Sequence, residues 1–133
     1  MLTKAQAFPL PFRGEYVPRG LAEFKLFEPF HYIDEDPWES VIVPVDFITD
    51  GGSIPPVVYP IIGSPWRGPY VEATIIHDWE CFLAKNAKER KKADKKFYKM
   101  LEILGVPRWK RKAMYRGVRM AAWWKYSILK KGR

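Results

Sequence analysis

The sequence predicts an α+β domain, with a small antiparallel sheet or hairpin in its N-terminal half packed on about three helices in its C-terminal half. Three observations carry that expectation. Proline and glycine are concentrated between residues 9 and 69, among short runs in which apolar and polar residues alternate. From about residue 70 onward, apolar residues recur at helical spacing. Gly105 follows Leu104, and Pro107 comes two residues later, which reads as a helix stop. A chain of 133 residues is expected to form one domain, 1–133, with a core large enough to need no staples.

Residues 1–20 contain Pro9, Pro11, Gly14, Pro18 and Gly20. They are expected as an extended Pro-rich arm with a short strand around Glu15–Val17. Strands and a Gly/Pro loop are expected over 21–68. The first strand covers 22–33, the second 39–48, and Asp34 to Pro37 is the turn that pairs them. Pro29 and Pro44 lack a ladder donor and mark edges or bulges. Residues 49–69 read as a long irregular loop, of a kind that is often functional. Helices fill 69–130, roughly as 69–85, 87–104 and 108–130, with Pro69 suited to the first turn. In the second, Ala93, Phe97, Met100, Leu101 and Leu104 form the inward stripe. In the third, the expected stripe is Trp109, Ala113, Met114, Ala121, Trp124 and Ile128, with Trp123 harder to bury on it.

Composition removes several classes. Cys81 is the single cysteine, so no internal disulfide is expected. No run approaches about 20 apolar residues, so no transmembrane segment is expected. Met1 to Phe12 has prolines where a signal peptide needs an apolar run. Net charge is +8, unevenly spread. Residues 85–133 hold 18 Lys/Arg against 3 Asp/Glu, a net +15, while residues 1–84 hold 5 against 12, a net −7. Such a field attracts an anionic membrane or envelope surface, nucleic acid or an acidic protein, or draws the two halves together. Lys110, Arg111, Lys112, Arg116 and Arg119 are the expected binding cations for an anionic surface or partner. Nucleic acid ranks last, because no recognition motif accompanies the charge. Trp109, Trp123, Trp124 and Tyr126 among these cations also fit an interfacial helix.

The chemistry-bearing residues centre on His77 and Asp78, adjacent within an apolar helix beside Ile75, Ile76, Trp79 and Phe82. Buried without partners, both would be costly. Asp94 lies on the apolar side of the next helix, with Phe97, Tyr98 and Leu101 on one face. A hairpin through Asn86 and Ala87 brings Asp94 level with His77. A carboxylate on one imidazole nitrogen leaves the other able to take a proton from water. The pair is therefore either a catalytic base with its partner or a buried tie between helices. Asp50, Gly51 and Gly52 open the long loop and suit an anion nest, a hard-cation site or a plain Asx turn. Cys81 is expected to be inert packing and His31 a strand residue. The scarcity of Cys and His argues against structural zinc.

The segment Val43-Pro44-Val45-Asp46-Phe47-Ile48-Thr49-Asp50-Gly51-Gly52-Ser53-Ile54-Pro55 resembles the signature of a small phage and prophage protein family known only as a domain of unknown function. Further resemblances lie in Ala73 to Trp79, in Ala93 to Phe97 and in Met114 to Arg119. Together they run from about residue 24 to 124. Val45 stands at the glycine-type position of the signature and Gly52 at its alanine. The resemblance implies a phage context, with the virion or the host bacterial cytoplasm as location and other phage structural proteins as partners. The His-Asp pair with a later Asp is also distantly similar to the phospholipase A2 arrangement. That similarity implies His77 as base, Asp94 as its orienting carboxylate and Asp78 as a calcium ligand, with loop oxygens from Gly51, Gly52 and Asp50. Cys81 stands where the phospholipase pattern has a tyrosine. The functional expectation is a particle-associated protein of the tail, tail tip or neck with a hydrolase-like site. The alternatives are a metal-assisted envelope hydrolase, and a purely structural virion protein whose polar cluster only stabilises the fold.

Overall fold

A computed structural model describes residues 1–10, 13–16, 24–35, 38–49 and 71–129. Its α+β architecture is the expected one, with small antiparallel sheets in front and helices behind. In chain order the elements are α1 (Lys4–Ala7), β1 (Gly14–Tyr16), β2 (Phe24–Leu26), β3 (Phe30–Asp34), β4 (Glu39–Val43), β5 (Ile48–Thr49), α2 (Val71–Leu83), α3 (Ala87–Ile103) and α4 (Arg108–Trp123). A wider π-helical segment, Trp124–Leu129, continues α4.

The arm is not extended throughout. Thr3 and Gln6 form a reciprocal capping box that closes the single turn α1. Behind it Phe8 is buried, with its ring 6.0 Å from that of Phe30 and 5.1 Å from that of Tyr32. The two long strands expected over 22–33 and 39–48 are each broken at their proline, which supplies no N–H to a ladder. Phe30–Asp34 pairs antiparallel with Glu39–Val43, as the expected hairpin does. The outer pieces form a second sheet in the order β1-β2-β5. Alternation on β3 buries Phe30, Tyr32 and Asp34, and Val43 faces the same core.

Between β4 and β5 the backbone turns at Asp46, which has φ 69°, in the left-handed region. Its N–H donates to the Leu26 carbonyl at 2.9 Å, and Leu26 N–H donates to Phe47 O at 3.1 Å. The glycine-type position is therefore Asp46 and not Val45. Aspartate is among the few non-glycine residues that accept this conformation.

The helices carry most of the core. Asn86 caps α3 by accepting from Glu89 N–H at 2.9 Å. Gly105, with φ 79°, ends it. Val106 N–H reaches Leu101 O at 3.0 Å and Gly105 N–H reaches Glu102 O at 3.1 Å, a Schellman closure. All five stripe residues expected on α3 are buried. α3 is the central helix, packed on both α2 and α4.

The expected stripe of α4 is corrected. Its buried residues are Met114, Gly117, Val118 and Ala122, whereas Trp109 is 59% exposed and Trp124 54%. Gly117 and Ala122 on the inner face are small, and two indole rings in such positions would hold α4 further from α3. The attraction between the charged halves is visible: Lys96 pairs with Glu39 and Glu80, and Lys99 with Asp34. Among the described residues no helix is long and apolar enough to cross a membrane.

The left-handed turn sets a test. Asp46→Val is expected to lose about 1–3 kcal/mol, the strain of a branched side chain there. Asp46→Gly should stay within about 1 kcal/mol of wild type. Urea denaturation of the two variants checks the difference.

Candidate functional site

α2 and α3 run antiparallel from the Asn86 cap, so the polar residues on their facing sides meet. His77 is 1% exposed and Asp94 is 0% exposed. Asp94 Oδ1 lies 2.6 Å from His77 Nε2. An ionised carboxylate only accepts, so Nε2 carries the proton and Nδ1 keeps the lone pair. The Phe97 ring lies 4.6 Å from the imidazole centroid and tilted 31°, which fixes its plane.

Asp94 has more partners than the sequence indicates. Arg90, one turn earlier on α3, donates from Nε to Oδ1 at 3.0 Å. Arg119 of α4 donates from Nη1 to Oδ2 at 2.7 Å. Arg90 also donates from Nη2 to the Val118 carbonyl at 3.1 Å. One carboxylate thereby joins α2, α3 and α4. Burial pushes its pKa up, but the hydrogen bond from His77 and the charge and hydrogen bond of Arg90 outweigh that and hold it below its ordinary 3.8. Burial dominates at His77 and holds the imidazole below its ordinary 6.5, against the opposing pull of Asp94. The resting site is therefore a neutral imidazole bonded to an ionised carboxylate.

Cys81 is also part of this cluster, contrary to the expectation of inert packing. Its sulfur lies 3.4 Å from Nε2 and 3.9 Å from Nδ1 of His77. The spacing of four residues on one helix was the available signal. The same spacing links Arg90 to Asp94. Arg119 carries no such signal, because it arrives from another helix. His77, Cys81 and Asp94 offer ligand atoms within 4.8 Å of one another. Two guanidiniums on Asp94 already neutralise it, which disfavours a cation there.

Asp78 points elsewhere. It is half-buried and accepts a short hydrogen bond from the Thr49 hydroxyl at the end of β5. Thr49 is the last described residue before residue 71. Asp50, Gly51 and Gly52 lie outside the described residues, as does Pro69. Calcium takes about six to eight oxygen ligands. Here Asp78 and Thr49 bring two side chains, too few to hold it by themselves.

The five expected surface cations separate into three groups. Arg119 is turned onto Asp94, and Arg111 pairs with Glu102 at 3.4 Å. Lys112 and Arg116 are exposed, with no ion pair to either among the described residues. Lys110 is half-buried. His31 sits in β3, as expected.

Two outcomes follow from the buried network. Asp94→Ala should destabilise the fold by about 3–5 kcal/mol, because it strands Arg90 and Arg119 without their counter-charge and His77 without its acceptor. Chemical denaturation measures this. The low pKa values of His77 and Asp94 mean that the unfolded chain takes up protons first as pH falls. Stability contributed by His77 is full above 6.5 and is lost as pH drops toward its folded value. The loss is limited to about 1.4 kcal/mol per pH unit for one group. Asp94 adds its own loss below 3.8. Denaturation between pH 7.5 and 5 should show a slope that His77→Gln removes.

Residues 24–118 match the model of a family described as "Protein of unknown function (DUF1353)". The chain is 39% identical over 109 residues to "Uncharacterized protein y4jT" of Sinorhizobium fredii (strain NBRC 101917 / NGR234), over 77% of this chain and 30% of that protein. It is 37% identical over 70 residues to "Uncharacterized protein y4iH" of the same organism, over 53% of this chain and 28% of that protein. The chain thus spans less than a third of the length of these curated relatives. No solved structure matches it. The matched segment holds His77, Asp78, Cys81, Arg90 and Asp94, and its extent over most of the sequence shows that this chain belongs to the family of unknown function DUF1353.

Proposed function

We propose that this chain is a particle-associated phage or prophage protein carrying a water-activating hydrolase site, with His77 as base and Asp94 as its orienting carboxylate. One observation carries the hydrolase reading. The neighbours His77 and Asp78 serve two different partners, Asp94 on α3 and Thr49 at the end of β5. That division is what a water-activating His-Asp pair with a separate second carboxylate requires. The phage context rests on the sequence resemblance alone.

The chemistry follows from the tautomer. Nδ1 accepts a proton from water while the water oxygen attacks an ester or amide carbonyl. Asp94 stays ionised and offsets the charge of the imidazolium. The same proton then passes from Nδ1 to the departing oxygen or nitrogen, which restores the neutral ring. Calcium, if held by Asp78 with loop oxygens, would polarise the carbonyl. The substrates proposed are phospholipid or cell-envelope esters and amides.

A second reading is favoured by the burial of His77 and by the two arginines on Asp94. In it the network is a structural tie within a virion protein, and no bond is broken.

The test is hydrolysis of phospholipid and envelope ester or amide substrates by wild type, His77→Ala and Asp78→Ala, with and without calcium, magnesium or zinc. The hydrolase reading expects His77→Ala to lose about 10²–10⁴-fold in rate while circular dichroism stays native. It expects one ion to raise the melting temperature of wild type and not of Asp78→Ala. Activity surviving in His77→Ala overturns it. Stoichiometric copies in purified particles, with no turnover, would leave the structural reading standing.

A further inference from the structure

The register of α4 leaves one face of that helix exposed, with no partner among the described residues. Residues 109, 112, 116, 120 and 123 recur at three- and four-residue steps and so lie along one line. The structure places Trp109, Lys112, Arg116, Met120 and Trp123 there. Trp109 is 59% exposed, Met120 65% and Trp123 57%, and both cations are exposed. Trp124, 54% exposed, extends the line into the π-helical segment. From Trp109 to Trp124 the line is about 22 Å long. Large apolar groups so exposed on one helix are not explained by the core, which α4 serves through Met114, Gly117, Val118 and Ala122.

Charge narrows the choice of occupant. No Asp or Glu occurs after Glu102, so α4 has no acidic residue. No ion pair among the described residues engages Lys112 or Arg116. These two also line a groove of about 500 Å3 between α3 and α4, together with Lys95, Tyr98 and Tyr115. A second copy of the chain would bring the same cations against themselves in an isologous contact, at a net charge of +8 per chain. A nucleic acid would match the charge, but gains nothing from Met120, which cannot stack as an aromatic ring does. An anionic bilayer matches both parts. Indole and thioether groups enter the headgroup boundary, while the cations meet lipid phosphates at the same depth.

We infer that the outer face of α4, Trp109–Lys112–Arg116–Met120–Trp123, is a docking surface for anionic phospholipid membrane, on which the helix lies flat. The adjoining groove receives a lipid phosphate between Lys95, Lys112 and Arg116. Adsorption needs no catalysis, so this inference stands apart from the reading of His77.

The experiment is vesicle co-sedimentation of the full chain, with tryptophan fluorescence, on phosphatidylcholine vesicles with and without phosphatidylglycerol. Wild type is expected to bind the anionic vesicles, with a blue-shifted emission, and to bind pure phosphatidylcholine far less. The double variant Lys112→Glu with Arg116→Glu should bind at least about twentyfold more weakly, since each cation near an anionic surface strengthens binding about fivefold. Trp109→Ala with Trp123→Ala should lose the blue shift and the part of binding that survives high salt. Lys88→Glu with Lys91→Glu, exposed on α3, changes net charge equally and should retain most of the affinity. All these side chains are exposed, and circular dichroism confirms that each variant folds. Binding to both vesicles alike, binding to neither, or equal weakening by the α3 control overturns the inference. So does capture of single-stranded oligonucleotide in place of vesicles, or a dimer that buries Trp109 and Trp123.

Discussion

The helical half is organised around one buried carboxylate. Asp94 accepts from an imidazole of α2, from a guanidinium of its own helix and from a guanidinium of α4. A lone ionised carboxylate at 0% exposure would be far too costly to keep. Two arginines offset its charge, and Arg90 in turn satisfies the Val118 carbonyl. The cluster is thus closed over three helices, and truncating one member leaves the others uncompensated. This closure also has a chemical consequence. The arginines keep Asp94 ionised, which fixes the tautomer of His77, but they share the negative charge that would stabilise an imidazolium. Orientation of the imidazole is strong here, while its basicity is held down by burial.

Charge segregation along the chain works in two ways. Part of the basic half is consumed inside the fold. Lys96 reaches Glu39 and Glu80, and Lys99 reaches Asp34 and the Glu35 carbonyl at 2.7 Å. These contacts fasten α3 to the β3–β4 hairpin and to α2. At Lys96 burial opposes the charge, yet Glu39 and Glu80 outweigh it and raise the pKa. The surplus appears on the outer side of α4, where Lys112 and Arg116 meet no carboxylate among the described residues. One composition therefore serves cohesion on the inner side and leaves an electropositive outer face.

Much of this was legible in the sequence, and the exceptions have physical reasons. The end of α3 was readable because Gly105 and Pro107 act locally on the backbone. Asp94 was readable as inward-facing because its neighbours Ala93 and Phe97 fix the phase of α3. The strands were misjudged in length, since alternation carries across Pro29 and Pro44 although the hydrogen-bond ladder does not. Cys81 was underread because a cysteine in an apolar helix packs well by itself, and its contact with His77 shows only in the i, i+4 spacing. Arg119 looks like a surface cation in the sequence, because a basic helix gives no sign of which cation turns inward. The glycine-type position was misplaced by one residue, and only the φ of Asp46 reveals it.

The register of α4 joins the site to the surface. Hydrophobicity ranks tryptophan above glycine and alanine, so the sequence favours a stripe through Trp109 and Trp124. Packing ranks them the other way, and the residues buried on α4 are Met114, Gly117, Val118 and Ala122. The two stripes differ by roughly one residue of rotation, about 100°. Turning α4 by that amount to bury the tryptophans would carry Arg119 away from Asp94 and leave Oδ2 without its partner. The register that completes the carboxylate cluster is therefore the same one that presents Trp109, Met120 and Trp123 to the outside. The exposed apolar line is a consequence of how Asp94 is satisfied, and both features depend on the small residues of the inner face.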